Sequence, residues 1–220
     1  MNNIILIVTE VILAYIALLI LYKKYNVDGI YIFAIISTFL SYMLNLKQIS
    51  ILNVSVPVGF GITTALVIAL NILIQQFGKE KVNEFILIVL FTSIASLIFV
   101  NIFINMTNSE YNLLSNKSFN NIFSNNIRTF VSLTISLLIT LYIDSKLYYT
   151  IKRIQNKIVY SNIFSIVIIE FFENIIFILF AYLFEYSGID IALCIIIRYI
   201  IKTAIGITGT IPLYIANKIK

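Results

Sequence analysis

The sequence predicts an all-α polytopic membrane protein, a bundle of about seven transmembrane helices that forms a single integral membrane domain over residues 1–220. Of its 220 residues, 60% are apolar and only 11% are charged, whereas a soluble domain carries about 25% charged residues. Abundant Ile, Leu and Phe exclude a disordered chain. The 7 Gly, 2 Pro and 1 Cys exclude collagen-like and disulfide-rich proteins. A membrane protein is the class that fits.

Seven apolar segments follow one another along the chain, separated by short polar turns. The predicted spans cover residues 4–22, 29–44, 49–77, 85–104, 128–149, 163–184 and 189–216. The first span ends in Lys23 and Lys24 and shows no small-residue cleavage motif, which favours a retained helix over a secretory signal peptide. In the third span, Pro57, Gly59 and Gly61 predict a break or an irregular start. Such backbone is tolerated within a membrane only where protein or water covers it.

The loops differ in charge and in length. Nine basic residues fall on one predicted side and two, Lys47 and Lys117, on the other. The nine are Lys23, Lys24, Lys79, Lys81, Lys152, Arg153, Lys157, Lys218 and Lys220. Basic loops stay in the cytoplasm, so the N-terminus is expected outside and the C-terminus inside, which favours seven spans over six. The longest polar stretch, 105–127, is expected to hold a short interfacial helix. The apolar residues expected to form that helix are Leu113, Leu114, Phe119, Ile122 and Phe123.

Charged residues also occur within the predicted spans or at their ends. They are Glu10, Arg128, Asp144, Glu170, Glu173, Arg198 and Lys202. A charge at mid-bilayer costs about 2.5–3.5 kcal/mol, so it normally faces the bundle interior or a watery cavity. Four acids against three bases indicate mutual pairing rather than isolated charges.

Helical spacing groups these residues into faces, because positions three and four apart are neighbours on a helix. The fifth span carries one polar stripe, the sixth an acidic face, the seventh a basic and glycine face, and the third an amide face. The polar stripe of the fifth span is Arg128, Ser132, Ser136, Thr140 and Asp144, and the acidic face of the sixth is Glu170, Glu173 and Asn174. The basic and glycine face of the seventh span is Arg198, Lys202, Gly206 and Gly209. The amide face of the third span is Thr64, Asn71 and Gln75. Two carboxylates one turn apart repel each other in a low dielectric, so either one of them is protonated or both meet a cation. Arg198 and Lys202 are the candidate cations.

Each face also has a purely structural interpretation. The hydroxyl stripe can serve ordinary hydrogen bonding between helices. Arg128 and Asp144 lie near span ends and can extend to the interface, Gly206 and Gly209 can serve close packing, and the charged residues can form a structural ion-pair network.

Three classes of function fit this arrangement. A transporter would bind a polar solute in a cavity lined by balanced charges and amides. An intramembrane enzyme is the weaker alternative: the chain has no His, its lone Cys194 sits in an apolar run, and no nucleophile with its base is recognisable. An accessory subunit is the third. No cofactor and no nucleic-acid partner is expected.

Four segments in order resemble a known family of transporters. The residues that carry the resemblance are Asn71, Gln75, Phe77, Gly78 and Lys79; Arg128, Asp144, Tyr148, Lys152 and Arg153; Glu170, Glu173, Asn174 and Phe177; and Lys202, Pro212 and Tyr214. Together they resemble the queuosine-precursor transporter family, also called vitamin uptake transporters, over residues 56–218, with two additional N-terminal spans. The family's third-span Asp appears here as Asn71, a nearby polar or acidic position as Gln75, and its sixth-span Asp as Glu173. These changes keep hydrogen-bonding capacity and alter the charge.

The resemblance implies uptake of a 7-deazaguanine, such as 7-cyano-7-deazaguanine, for tRNA modification in a prokaryote, with the protein integral to the cytoplasmic membrane. The substrate-binding residues expected from the faces and the resemblance together are Asn71, Gln75, Arg128, Asp144, Glu170, Glu173, Asn174, Arg198 and Lys202. Phe77 and Phe177 are further candidates, for stacking on the ring. The alternative is the substrate-binding subunit of an energy-coupling-factor importer, which works with an ATPase partner. This chain has no GxxxxGK[ST] motif of its own. Homo-oligomerisation is left open.

Overall fold

The computed structural model of the chain describes residues 3–106, 122–123, 127–155 and 157–219. The elements are α1 (Asn3–Asn45), β1 (Gln48–Ile51), β2 (Val54–Pro57), α2 (Phe60–Gln76), α3 (Lys79–Ile104), α4 (Ile127–Gln155), α5 (Ile158–Tyr182), α6 (Gly188–Thr208) and α7 (Thr210–Lys218). Within these residues, five helical segments are long and apolar enough to cross a membrane, with α6 and α7 counted together. The predicted helical membrane class is therefore confirmed. The expected interfacial helix of 105–127 lies mostly outside the described residues.

Helix α1 folds back on itself and contains the first two predicted spans. Its 43 residues would extend about 65 Å as one straight helix, twice the thickness of the bilayer core. Asn26 breaks the helix with φ 56° and ψ −127°, values that fit the first central position of a type II′ turn. A Cβ on Gly29 would lie 2.0 Å from the carbonyl oxygen of Leu21, so the reversal is tight enough to require glycine. The two arms, residues 3–25 and 27–45, therefore run in opposite directions.

A β-hairpin replaces the start of the predicted third span. Strands β1 and β2 pair antiparallel, with Gln48 opposite Pro57 and Ile51 opposite Val54. Leu52 and Asn53 join them with φ of 52° and 64°, the left-handed pair that a type I′ turn requires. The predicted irregular start is thus confirmed, and the hairpin itself was not predicted from the sequence.

Helix α2 is the centre of the bundle. Its first 15 residues, 60–74, are all buried, and it contacts α1, α3, α4, α6 and α7. A helix that is apolar on every side belongs inside a bundle. At 17 residues it is shorter than a typical span. Because α1 holds two predicted spans and α2 is short, the number of long spanning helices is below the seven predicted.

The basic loops meet at one end of the bundle. The ring of Tyr22 packs edge-on against Phe77, with centroids 6.3 Å apart. Gln76 Nε2 donates to Asn217 Oδ1 at 2.9 Å, and Lys152 Nζ lies 3.4 Å from the carbonyl oxygen of Ile74. The first, third and fifth loops and the C-terminal helix therefore share what we call the basic end.

The opposite end holds the β-hairpin and the loop between α5 and α6. There Gln48 bonds Tyr186, and Arg128 Nη1 lies 3.9 Å from Glu185 Oε1. We call this the hairpin end. The loops that the structure describes are thus grouped as the charge count predicted, and which end faces the cytoplasm stays a prediction.

Candidate functional site

Four ionic side chains meet between α5 and α6, next to the central helix. Glu170 and Glu173 are three residues apart on α5, and Arg198 and Lys202 are four apart on α6, so each pair projects from one helix face. Lys202 Nζ lies 2.7 Å from Glu170 Oε2 and 2.8 Å from Glu173 Oε2. Arg198 Nη2 lies 3.5 Å from Glu173 Oε1. The predicted pairing of the two acids with the two bases is present.

Neutral polar groups from α1, α2 and α5 complete this cluster. Thr64 Oγ1 of α2 donates to Glu170 Oε1 at 3.1 Å. Arg198 Nε donates to Asn174 Oδ1 at 2.8 Å, and Arg198 Nη1 lies 3.5 Å from Asn45 Oδ1 at the end of α1. The ring of Phe177 lies beneath the guanidinium, 4.4 Å from its Cζ. We call the seven polar residues and this ring the ion network. They are Asn45, Thr64, Glu170, Glu173, Asn174, Arg198 and Lys202, with Phe177.

The ion network is closed to solvent and electrically neutral. Each of its four ionic side chains is at most 2% exposed, and two carboxylates balance two cations. Taking such groups out of water costs several kcal/mol per ion unless each is paired. Mutual pairing of all four is therefore the condition for placing them inside the bundle.

The contacts within the ion network differ in length. Contacts of 2.7 and 2.8 Å join Lys202 to the carboxylates, which is the normal length of a charge-assisted hydrogen bond. Arg198, by contrast, lies 3.5 Å from both Glu173 and Asn45. Of the three ion pairs in the network, the one between Arg198 and Glu173 is therefore the longest.

A second polar layer lies closer to the basic end. Ser165 of α5 donates to the carboxylate of Asp144 on α4. Asn71 Nδ2 lies 3.4 Å from Asn162 Oδ1. Gln75 Nε2 of α2 donates to the hydroxyl of Tyr148 at 2.6 Å. Asn71, Gln75 and Asp144, predicted to bind substrate together with residues of the ion network, lie in this separate layer.

Comparison with known proteins identifies the family to which the chain belongs. Residues 57–216, well over half of the chain, match the family model described as "Putative vitamin uptake transporter". The chain belongs to this family of vitamin uptake transporters. The match includes every polar residue of the ion network and of the second layer except Asn45, and the two arms of α1 lie outside it. Neither a curated protein nor a solved structure matches the chain. The protein is thus a membrane-embedded transporter with a neutral ion network at the core of the family domain.

Two groups of predicted residues lie apart from the ion network of this transporter. Arg128 is 38% exposed at the hairpin end and donates from Nε to the carbonyl oxygen of Phe180 at 2.7 Å. Of the hydroxyl stripe, Ser132 and Ser136 are buried but bond to carbonyls of their own helix. These residues fit the structural interpretation of the stripe. Phe77 likewise packs against Tyr22 at the basic end, away from the network.

Gly206 of α6 and Gly209, directly after α6, also serve packing in this transporter. A Cβ on Gly206 would lie 2.4 Å from Ile166 Cγ2, and one on Gly209 would lie 2.4 Å from Ile68 Cδ1. Both positions let α6 approach its neighbours more closely than any larger residue allows.

Three residues near the site were not expected from the sequence. Asn162 and Ser165 lie on the face of α5 that carries Glu173, eleven and eight residues earlier, so the helical period contained a signal for them. Asn45 stands at the end of α1, 153 residues from Arg198, and no local pattern indicates that contact. Glu10, noted only as a charge within a span, accepts from the backbone N–H of Ile62 at 3.1 Å and caps α2.

Proposed function

We propose that the transporter imports a 7-deazaguanine, such as 7-cyano-7-deazaguanine, across the cytoplasmic membrane of a prokaryote to supply tRNA modification. The observation that carries this proposal is the ion network: two carboxylates and two cations, fully buried and mutually neutralised. A neutral solute can enter such a site only if it offers both donors and acceptors, because it must replace contacts to ions of both signs. It must also do so without adding a buried charge.

A guanine-like edge has this combination of groups. It places two N–H donors side by side, which one carboxylate accepts in a bidentate manner, next to a carbonyl oxygen that accepts from a cation. Glu173 is our choice for the donors and Arg198 for the carbonyl, because their contact of 3.5 Å is the longest ion pair of the network.

The surroundings of the contact between Arg198 and Glu173 suit a flat aromatic solute. Arg198 now lies over the ring of Phe177, with Cζ 4.4 Å from the centroid. A bicyclic base inserted between Arg198 and Glu173 would stack on the same ring, and Asn45 and Asn174 would supply further polar contacts. Lys202 would keep its bonds to both carboxylates, so the network would open on one side only.

The second layer supports a path across the bundle. Along the central helix, Thr64, Asn71 and Gln75 each bond a partner on α4 or α5. Polar groups therefore continue from the ion network toward the basic end. A solute leaving the network would meet hydrogen-bonding groups rather than a wholly apolar core.

Uptake of labelled 7-cyano-7-deazaguanine by cells that cannot synthesise it tests this proposal. Glu173→Gln replaces one acceptor oxygen by a donating amide, which opposes the donors of the base. Loss of a hydrogen bond to a charged group costs about 1.5–3 kcal/mol, so uptake should fall roughly ten- to hundredfold.

The matched control is Glu84→Gln, at an acid that is 40% exposed near the basic end and should leave uptake unchanged. Unlabelled guanine-type bases should compete, and adenine, whose donor and acceptor positions are reversed, should not. Absence of uptake by the unaltered protein, or equal uptake by Glu173→Gln, would overturn the proposal. Uptake that occurs only with a co-purifying ATPase would instead identify a subunit of an energy-coupling-factor importer.

A further inference from the structure

Asp144 and Asn71 both belong to the second layer, and the register of their helices places them at the same level of the bundle. Helices α2 and α4 both run from the hairpin end to the basic end, and Gln75 and Tyr148 join them by a hydrogen bond of 2.6 Å. Asn71 precedes Gln75 by four residues, and Asp144 precedes Tyr148 by four residues. In parallel helices, one turn back on each brings the carboxylate and the amide to the same level.

Hydrogen bonds that involve α5, α6 and α7 fix the orientation of both groups. Asn162 Nδ2 donates to the carbonyl oxygen of Gly206 at 2.9 Å and to Thr210 Oγ1 at 3.0 Å, so its Oδ1 must face Asn71 and accept the amide N–H of that residue. Among the described residues, Asn71 Oδ1 is then left without a donor. Ser165 donates to Asp144 Oδ1, and the same part of the chain offers no donor to Asp144 Oδ2.

Asn71 Oδ1 and Asp144 Oδ2 are thus two buried acceptor oxygens at one level, and no described group donates a hydrogen bond to either. Both residues are 0% exposed, and a buried polar atom without a partner is costly. Within the described part of the chain, no basic side chain lies at ion-pair distance from Asp144. This carboxylate therefore differs from Glu170 and Glu173, each of which has a cation.

The charged and titratable groups around Asp144 are committed elsewhere. On α5, Glu170 is held by Lys202 of α6, and α2 presents only amides at this level. Toward the basic end, α4 itself carries the phenol of Tyr148, which accepts from Gln75, and Lys152, which contacts backbone carbonyls of α2. The ionic groups of α3 lie in its first turns at the basic end. They are Lys79, Glu80, Lys81 and Glu84.

We propose that Asp144 is the proton-binding site that couples transport to a proton gradient, with Asn71 as the acceptor of the bound proton. A single proton on Asp144 Oδ2 donates to Asn71 Oδ1 and satisfies both orphaned oxygens at once. The O–H bond forms with a proton taken from water on one face of the membrane. It breaks when that proton returns to water on the other face, so no further reactant is consumed. The proposal rests on the protein being a transporter, and not on deazaguanine being its solute.

Infrared spectra of the purified protein in lipid test the proton site without any solute. Across a pH series, the unaltered protein should show a carbonyl stretching band of a protonated carboxyl group that is missing in Asp144→Asn. In Ser165→Ala the same band should persist at higher frequency, because the carbonyl oxygen of Asp144 has lost its donor. Glu84→Gln should retain the band unchanged. A band set identical in Asp144→Asn and the unaltered protein would overturn the proposal.

Transport into proteoliposomes tests the coupling. One pH unit corresponds to about a tenfold ratio for one proton, so vesicles one unit more alkaline inside should concentrate labelled 7-cyano-7-deazaguanine up to about tenfold. Asp144→Asn should still exchange labelled for unlabelled solute but reach no accumulation, and Glu84→Gln should accumulate normally. Exchange also shows that the variant is folded.

The outcomes separate the two proposals. Accumulation by Asp144→Asn, or accumulation driven by a sodium gradient without a pH difference, would refute Asp144 as the coupling site. If the unaltered protein moves no deazaguanine under any gradient, the substrate assignment fails, and the infrared series alone then decides whether Asp144 carries a proton.

Discussion

Removal of the Lys202 ammonium should be among the most destabilising single changes in this protein. Lys202 lies within 2.8 Å of both carboxylates. Lys202→Met keeps the bulk of the side chain but leaves Glu170 with the hydroxyl of Thr64 at 3.1 Å and Glu173 with Arg198 at 3.5 Å. The network then holds one cation against two anions. Breaking a buried ion pair by deleting one partner costs about 3–5 kcal/mol.

Thermal unfolding of the purified protein in detergent measures this loss. For a chain of this size, 1 kcal/mol shifts the Tm by about 2–4 °C, so Lys202→Met should lower the Tm by roughly 6–20 °C. The control is Lys81→Met, which also removes one ion pair with a 2.8 Å contact, to Glu84, but at side chains that are 41% and 40% exposed. Exposed pairs contribute about 0–1 kcal/mol, so the control should change little.

A double variant separates charge balance from packing. Lys202→Met with Glu170→Gln restores one cation and one anion, so it should be more stable than Lys202→Met alone even though it departs further from the original sequence. If Lys202→Met shifted the Tm no more than Lys81→Met, or if the double variant were no more stable, the ion network would not be the neutralised cluster described here.

Two further predictions concern how the helices are held. Glu10→Ala removes the acceptor of the Ile62 N–H and should cost about 0.5–2 kcal/mol, as for other helix caps. Glu10→Gln, whose amide oxygen can still accept, should lose less in the same unfolding assay. Gly206→Ala places a Cβ 2.4 Å from Ile166 Cγ2 and should cost about 1–3 kcal/mol by overpacking. Combined with Ile166→Ala, it should show a coupling energy in a double-mutant cycle, and strict additivity would contradict the contact.

The spans were predictable because long apolar runs have few alternatives in a membrane protein. The hairpin at residues 48–57 was not predicted. Its two strands are only four residues each, too short for an alternating pattern to stand out, and Ile and Val give them the hydropathy of a span. The reversal of α1 at Asn26 was predicted from the polar residues between the first two spans, although the helical backbone continues on both sides almost to the turn.

The ion network was predictable because its charges lie on two helices at helical spacing. Helical spacing does not predict the position of each residue along the axis of the bundle. Thr64 and Asn71 share a face of α2, but seven residues separate them by about 10 Å along the axis. This distance is why Asn71 and Asp144 form a second layer instead of joining Glu170. Contacts such as that of Asn45 with Arg198 depend on how the hairpin of α1 packs, which no local pattern contains.

The two layers differ in net charge, and this difference connects the two proposals. The ion network is neutral by itself, so a neutral solute leaves it neutral. The second layer carries one carboxylate without a cation among the described residues, so one proton makes it neutral. With the solute and the proton both bound, these two layers hold no uncompensated charge. With the solute alone, Asp144 remains an unpaired anion in a low dielectric, where its desolvation is expensive. A conformational change that carries both layers past the apolar core should therefore be easiest when solute and proton are bound together, which is the condition for coupled transport.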